Sequence, residues 1–317
     1  LYTKYQELSE KVQELENKIE NMTSNTQSGS GAFGDTYSEL IGRIQPWYYW
    51  FTDPSYYSDF INGILSNITS NPAVQELINE LNIDSSMALL DKAWKVVNFT
   101  AMNLMYRRDS YVRVPRPDGS IAVWTDSLQL PNETLHYLGG EEGFGDCEDL
   151  ALLVYAVLKA TIKDGEEVYL ILAHDPVEGH VAVLAIDRNV CEAYIIDPSF
   201  GMINGYTVMI RIYALNKDGV VEERYLTASA LPPGFKTALF SKLTADIVYF
   251  DLYTYLTTGT KEVKTAPDIN HVDPSTLLQI WKTIMGFTPS SYTVVSDEIV
   301  EEFSSENDLV NWISSRL

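Results

Sequence analysis

The sequence is poor in cysteine and in positive charge. Its 317 residues contain two cysteines, Cys147 and Cys191, too few for a disulfide-rich scaffold but compatible with one bridge or one reactive thiol. Lys and Arg number 22 against 44 Asp and Glu, which gives a formal charge of −22. Because such a charge repels phosphate backbones, we expect no nucleic-acid partner.

Several sequence patterns are also missing. No apolar run approaches the roughly 18 residues of a membrane-spanning helix, since the longest candidate, residues 151–162, is interrupted by Lys159. No set of cysteines and histidines has zinc-site spacing, and no phosphate-binding glycine loop or Gly-x-Ser-x-Gly motif occurs. With 45% hydrophobic residues, 18 Gly and 13 Pro, the composition is that of a globular protein. The length predicts about two domains or one large decorated domain.

Residues 1–24 follow a heptad pattern. Leucine or methionine occupies each d position and mostly β-branched residues occupy the a positions, at Leu1, Tyr5, Leu8, Val12, Leu15, Ile19 and Met22. This pattern favours a parallel two-stranded coiled coil, so we expect a stalk that makes the chain a homodimer. The alternative is a long amphipathic helix folded back on its own domain, because three heptads are short.

Residues 25–35 (NTQSGSGAFGD) lack periodicity and predict a flexible linker. The chain begins at Leu1, so we interpret it as a processed or truncated product whose leader or N-terminal membrane anchor has been removed. Together with the stalk, this predicts an extracellular or cell-surface location.

The rest of the chain is expected to have an α+β fold in three regions. Residues 36–110 form a helical layer, residues 111–230 the core, and residues 231–317 a mainly helical C-terminal extension. Expected helices cover residues 37–47, 58–68, 72–81, 85–106, 146–160, 236–255, 275–286 and 306–317. Expected strands cover residues 167–173, 180–187, 190–197, 208–215, 220–226 and 292–295, so one helix precedes an antiparallel meander.

Cys147 is placed in the first turn of the expected helix at 146–160. Asp146 is the expected N-cap residue, answered by Asp149 three residues later. A helix N-terminus favours a thiolate, which is the nucleophilic form of cysteine. The carboxylates of Asp146, Glu148 and Asp149 oppose this, unless they point elsewhere or bind a cation.

His180 and Asp197 complete a possible triad with Cys147. His180 opens one expected strand and Asp197 closes the next, so an antiparallel pairing brings both residues to one edge of the sheet. His180 would accept the thiol proton, and Asp197 would orient the imidazole. On spacing alone, the same residues also fit a buried thiol, a structural histidine and an Asp-Pro strand stop.

The remaining cysteine and histidines make weaker candidates. Cys191 lies on the expected strand about 20 Å from Asp197, so we expect it to be a core residue outside the triad. His174 is expected in a turn as a solvated loop residue. His136 and His271 lack an evident partner.

Three motifs carry a resemblance to a known family. Residues 143–153 (GFGDCEDLALL), 179–183 (GHVAV) and 195–198 (IIDP) resemble the Gly-x-Cys helix start, the Gly-His strand and the Asp-Pro strand of the transglutaminase-like superfamily. Residues 129–135 (QLPNETL) are similar to the segment that precedes them in bacterial transglutaminase-like cysteine peptidases. The likeness spans about residues 85–215. It implies a papain-like α+β core with Cys147, His180 and Asp197 as nucleophile, base and orienting residue.

The oxyanion hole and the cofactor are less defined. The backbone N–H of Cys147 is the expected first oxyanion donor, and Gln129 is the candidate for the second, ahead of Trp124; each also fits a packing role. No cofactor is expected to be required. Some bacterial relatives bind calcium through acidic residues around the nucleophile, and Asp146, Glu148 and Asp149 offer such ligands. Capping and solvation of the helix start is the simpler interpretation.

The expected function is thiol acyl transfer on a protein or peptide substrate through a thioester on Cys147. Hydrolysis by a cysteine peptidase or amidohydrolase is the favoured outcome, by analogy with the prokaryotic relatives that the chain resembles. One alternative is a protein-cross-linking transglutaminase, in which an amine replaces water as acceptor. A second is a catalytically inactive surface-binding or structural module in which the triad is present but unused.

Overall fold

The computed structural model of the chain describes residues 57, 60–108, 112–115, 121–124, 128–135, 143–175, 178–216, 218–265, 269 and 271–317. They belong to one compact unit, Pro46–Leu317. The expected coiled coil at 1–24, the linker at 25–35 and the helix at 37–47 lie outside the described residues, as does His136. The side chains of 112–115, 121–124 and 215 also lie outside the description.

The described part begins with helices. A π-helical segment, Ile61–Leu65, leads into a short helix α1 (Ser66–Ile68), followed by α2 (Pro72–Glu80) and α3 (Leu89–Asn103). Helix α3 is shorter than the expected 85–106. Where the expected helix would begin, Asp84 accepts a hydrogen bond from the backbone N–H of Ser86 (2.7 Å), and this bond holds these residues in a turn.

In the described part of the chain, four short strands lie between α3 and Cys147. Strand β1 (Met105–Tyr106) pairs in parallel with β4 (Phe144–Gly145), and a separate hairpin is formed by β2 (Val112–Pro115) and β3 (Ile121–Trp124). Helix α4 (Pro131–Leu135) lies between them in sequence. The β1–β4 pair fixes the chain immediately before Cys147.

Helix α5 (Cys147–Lys159) is the central helix of the fold. Every residue from Cys147 to Leu158 is buried, whereas the sequence predicted a single apolar face. The helix is enclosed because it packs against α2 and α3 on one side and against the sheet on the other. A helix that is apolar almost all round is expected to be a core helix.

The main sheet has ten strands in the described part of the chain. Its first six strands form an antiparallel meander that contains the five expected strands and the short β8, which was not expected. They are β5 (Glu166–His174), β6 (Gly179–Asp187), β7 (Glu192–Asp197), β8 (Met202–Ile203), β9 (Tyr206–Leu215) and β10 (Val221–Thr227). The strand order is β12-β11-β9-β8-β7-β6-β5-β13-β14, with β10 pairing to the second part of β9.

The C-terminal region is helical and also contributes strands to this sheet. It comprises α6 (Pro233–Lys242), β11 (Ala245–Asp251), α7 (Leu252–Thr258), β12 (Val263–Lys264), α8 (Pro274–Met285), β13 (Ser291–Val295), β14 (Val300–Phe303) and α9 (Glu306–Ser314). The predicted helix at 236–255 is wrong, because its middle is β11, paired with β9 from Ala245↔Ile212 to Asp251↔Tyr206. The β-branched and aromatic residues of this segment (ADIVYFD) favour a strand once a partner is available.

The sheet separates two apolar layers. Helices α3 and α5 belong to the layer on one face, and α8 and α9 to the layer on the other, where Trp281 is fully buried. The fold class is therefore α+β with a large antiparallel sheet, as the sequence predicted. None of the described helices has the length and apolarity needed to cross a membrane.

Candidate active site

Cys147 is the first residue of α5. Asp146 is the N-cap residue, and its backbone N–H donates a hydrogen bond to Asp149 Oδ2 (3.2 Å), which forms the predicted capping box. The side chain of Cys147 therefore lies at the positive end of the helix dipole. Neither Cys147 nor Cys191 is in a disulfide.

His180 and Asp197 meet where the neighbouring strands β6 and β7 begin and end, as predicted. The pairing of Val183 with Ile196 places Asp197 opposite residue 182, so Asp197 and His180 share a sheet face. The Nε2 atom of His180 lies 2.7 Å from Asp197 Oδ2. Because Asp197 engages Nε2, Nδ1 is the ring nitrogen left to face a thiol.

The structure brings Cys147 to the imidazole of His180. Burial disfavours the imidazolium, but the carboxylate of Asp197 and its hydrogen bond hold the pKa of His180 well above its usual value. Hydrogen bonding and charge interaction with Cys147 act in the same direction. Cys147, His180 and Asp197 thus form one interacting group, in which a proton moved from sulfur to imidazole would be retained.

Trp281, on α8, is a further residue of this site that the sequence did not indicate. Its indole N–H donates to Asp197 Oδ2 at 3.0 Å, the same oxygen that His180 approaches. The backbone N–H of Ser199 donates to the other oxygen, Oδ1 (3.2 Å). No local signal marks Trp281, since a tryptophan in an amphipathic helix is commonly a packing residue. The C-terminal region, in which the sequence showed no chemistry, therefore reaches the site.

Acidic side chains surround the thiol on its helix side. The thiol of Cys147 donates to Glu148 Oε2 (3.2 Å), and Glu148 is only 1% exposed. Burial, together with Cys147, Asp146 and Asp149, raises the pKa of Glu148 well above its usual value. Its Oε1 has no hydrogen-bond partner among the described residues. Burial beside the sulfur therefore favours the protonated form of Glu148.

Asp146, Cys147 and Glu148 also offer donor atoms that lie within 4.8 Å of one another. This spacing fits a single cation. Calcium prefers six to eight oxygen ligands, and these side chains offer only a few, so the set alone does not form a complete calcium site.

Gln129 lies close to the start of α5. Its backbone N–H donates to Asp149 Oδ1 (2.6 Å), while its Oε1 is buried without a hydrogen-bond partner in the described part of the chain. This hydrogen bond to the capping residue Asp149 fixes the position of Gln129. It also occupies the backbone N–H of Gln129, so that N–H is not free to stabilise an oxyanion. The side chain of Trp124, the other oxyanion candidate, lies outside the described residues.

Other sequence-based expectations need correction. Cys191 is exposed in the turn before β7 with a φ of 56°, so it is not a core residue, although it does lie at the strand end remote from Asp197. His174 is half-buried at the end of β5, where its ring contacts Ser291. Burial lowers the pKa of His174. The expectation of a solvated turn residue missed this because β13, which carries Ser291, is distant in sequence.

Comparison of the chain with protein-family models finds no match, and comparison with curated proteins finds no significant sequence relative. What the site does must therefore be inferred from its residues.

Proposed function

We propose that the chain is a thiol acyl-transfer enzyme with Cys147 as nucleophile, His180 as general base and Asp197 as the residue that orients the imidazole. The observation that carries this proposal is the 2.7 Å contact between His180 Nε2 and Asp197 Oδ2 beside a cysteine at a helix N-terminus. A cysteine helix packed against an antiparallel sheet that bears the histidine and the aspartate also supports a papain-like, transglutaminase-like core.

The reaction begins when the Sγ–H proton of Cys147 moves to Nδ1 of His180. The thiolate attacks the carbonyl carbon of the substrate, and the backbone N–H of Cys147 stabilises the oxyanion. The amine then leaves with the proton held by His180, and a thioester remains on Sγ. A water molecule, deprotonated by His180, releases the acid and restores the thiol.

The contact between Cys147 and Glu148 defines the resting state from which the reaction starts. Since the thiol donates to Glu148 Oε2, its hydrogen must turn toward His180 before transfer. The raised pKa of Glu148 favours its protonated form, and a protonated Glu148 places no full charge beside the thiolate, which a carboxylate would destabilise by repulsion. This mechanism needs no cofactor.

We favour hydrolysis of a protein or peptide substrate, outside the cell or at its surface. Aminolysis of the same thioester would instead cross-link proteins. The test is incubation of unfolded protein substrates with a primary-amine probe, using wild type and Cys147→Ala, followed by mapping of new termini and probe-labelled residues. New termini in wild type alone support a peptidase, and probe incorporation supports a transglutaminase. Identical products from both proteins would contradict the proposal.

A further inference from the structure

A cavity of about 380 Å³ lies on the sheet face that carries His180 and Asp197. This volume is at the lower end of the roughly 300–1,000 Å³ range of ligand pockets. Its walls are mainly apolar and aromatic, and come from β9, β10, β11 and α7: Met209, Tyr225, Phe250, Leu252 and Tyr255. These residues lie outside the triad.

The strand pairing places this cavity near Asp197. Asp197 is paired with Met202, and Met202 is paired with Thr207, which lines the cavity. Paired residues share a sheet face, so Thr207 and Asp197 lie on the same face. They are two strands apart, a distance of roughly 10 Å. Phe200 connects the two sites: it lines the cavity, and its ring centroid lies 5.7 Å from that of His180.

Among the polar residues that line the cavity, Thr207 and Lys261 bear most on which ligand it accepts. Thr207 is 3% exposed, and its Oγ1 has no hydrogen-bond partner among the described residues. A buried hydroxyl without a partner is costly, so a ligand that supplies one gains affinity. Lys261, which is exposed, adds a cation to the lining of a chain whose formal charge is −22. A hydroxylated aromatic ring with an anionic group beside it matches both features.

We propose that this cavity binds a tyrosine-like side chain of the protein substrate, with an acidic group next to it at Lys261. The inference rests on the proposed function, because the bound side chain belongs to the substrate whose carbonyl reaches Cys147. The aromatic walls contact the ring, Thr207 pairs with the phenolic hydroxyl, and Phe200 keeps the two sites adjacent. The cavity would therefore select substrate sequence near the scissile bond.

The first test compares alkylation of Cys147 by iodoacetamide, N-phenethyl iodoacetamide and N-(4-hydroxyphenethyl) iodoacetamide. Each reagent forms an Sγ–C bond and releases iodide, so the ratio of two rates in one protein removes any change in the thiol itself. We expect the hydroxylated reagent to react about tenfold faster than iodoacetamide in wild type. The contact between Thr207 and the phenolic hydroxyl should account for a roughly threefold part of this advantage, and Thr207→Val should remove that part.

Met209→Trp, which fills the cavity, should bring the ratio of the rate with the hydroxylated reagent to the rate with iodoacetamide close to one. Tyr213→Trp, on the same strand but outside the cavity lining, is the matched control and should retain the wild-type ratio. A wild-type ratio near one, or a ratio that Met209→Trp leaves unchanged, would overturn the inference.

A second measurement separates this inference from the proposed function. Binding of 4-hydroxyphenylacetate to the unmodified chain, followed by calorimetry, needs no reactive thiol. We expect saturable binding that Met209→Trp abolishes and Lys261→Gln weakens. If iodoacetamide fails to label native Cys147 but this binding is observed, the proposed function fails and the cavity stands as a binding site. If no binding is observed, the cavity inference fails.

Discussion

At the residue scale, the carboxylate of Asp197 organises the site. Asp197 is fully buried and accepts hydrogen bonds from the Trp281 indole and the Ser199 backbone while it contacts His180. Three donors leave the carboxylate little freedom to rotate. Its position sets the direction of the His180 ring, and so the direction in which Nδ1 can accept a proton.

Trp281→Phe tests this positioning role. The variant keeps an aromatic ring but removes the donor to Asp197 Oδ2, so the carboxylate can turn away from His180. We expect alkylation of Cys147 near neutral pH to slow several-fold and the free energy of unfolding to fall by about 1–3 kcal/mol. The control is Trp312→Phe, since Trp312 packs on Tyr169 and Phe303 and none of its described contacts reaches Asp197. Equal loss of Cys147 reactivity in both variants would indicate a packing role only.

Glu148→Gln tests the buried acid. Because the pKa of Glu148 is raised in the folded chain, wild-type stability is fully present below the ordinary value of 4.5 and is lost as pH rises toward the folded value. The glutamine side chain of the variant cannot ionise. We expect the variant to gain stability relative to wild type by about 1.4 kcal/mol per pH unit above pH 4.5, until the folded pKa is passed. Denaturant unfolding between about pH 4 and 8 with a chelator present measures this, and parallel curves would contradict it.

At the element scale, one buried ion pair connects the helical layer to the sheet. Lys92 on α3 lies 2.8 Å from Glu166 on β5, with both side chains buried, and also donates to the carbonyl of Thr161 (2.8 Å). Removing one partner leaves the other charge buried, which is costlier than removing both.

We therefore expect Lys92→Met to lower the free energy of unfolding by roughly 3–5 kcal/mol. The double variant Lys92→Met, Glu166→Gln should recover part of this loss, because it also removes the buried carboxylate, whose remaining ion-pair partner is Lys163 at 3.4 Å. Chemical denaturation of the two variants and wild type gives the comparison. A double variant less stable than Lys92→Met would mean that the pair stabilises the fold beyond balancing its own charges.

Elements whose partners are near in sequence were mostly predictable, and β13 was predicted from its local pattern although its partner β5 is distant in the chain. Local patterns located β5, β6 and the α5 capping box, and the strand ends located His180 and Asp197. Strand β11 was missed because its partner β9 is about 40 residues away in the chain, and its apolar pattern also fits a helix. Trp281 lies 84 residues from Asp197, and no local feature of the sequence carries that contact.

At the scale of the whole molecule, the C-terminal region completes the body of the protein. Strand β13 pairs with β5 from Ser291↔His174 to Val295↔Leu170, and α8 delivers Trp281 to Asp197. A chain that ends at Ala230 would expose the edge of β5 and the apolar face beneath α8. We expect this truncated chain to lack a cooperative thermal transition in circular dichroism. A cooperative transition with selective labelling of Cys147 would show that residues 231–317 are an accessory.

The most direct test of the central claim is the rate of Cys147 alkylation by limiting iodoacetamide from about pH 5 to 9, in wild type and His180→Ala, with peptide mapping. Cys191 is an internal reference because it is exposed, free and distant from the triad. Near pH 6 we expect Cys147 to react about tenfold faster than Cys191 in wild type and to lose that advantage in His180→Ala. Identical pH profiles for Cys147 in both proteins would contradict a Cys147–His180 pair.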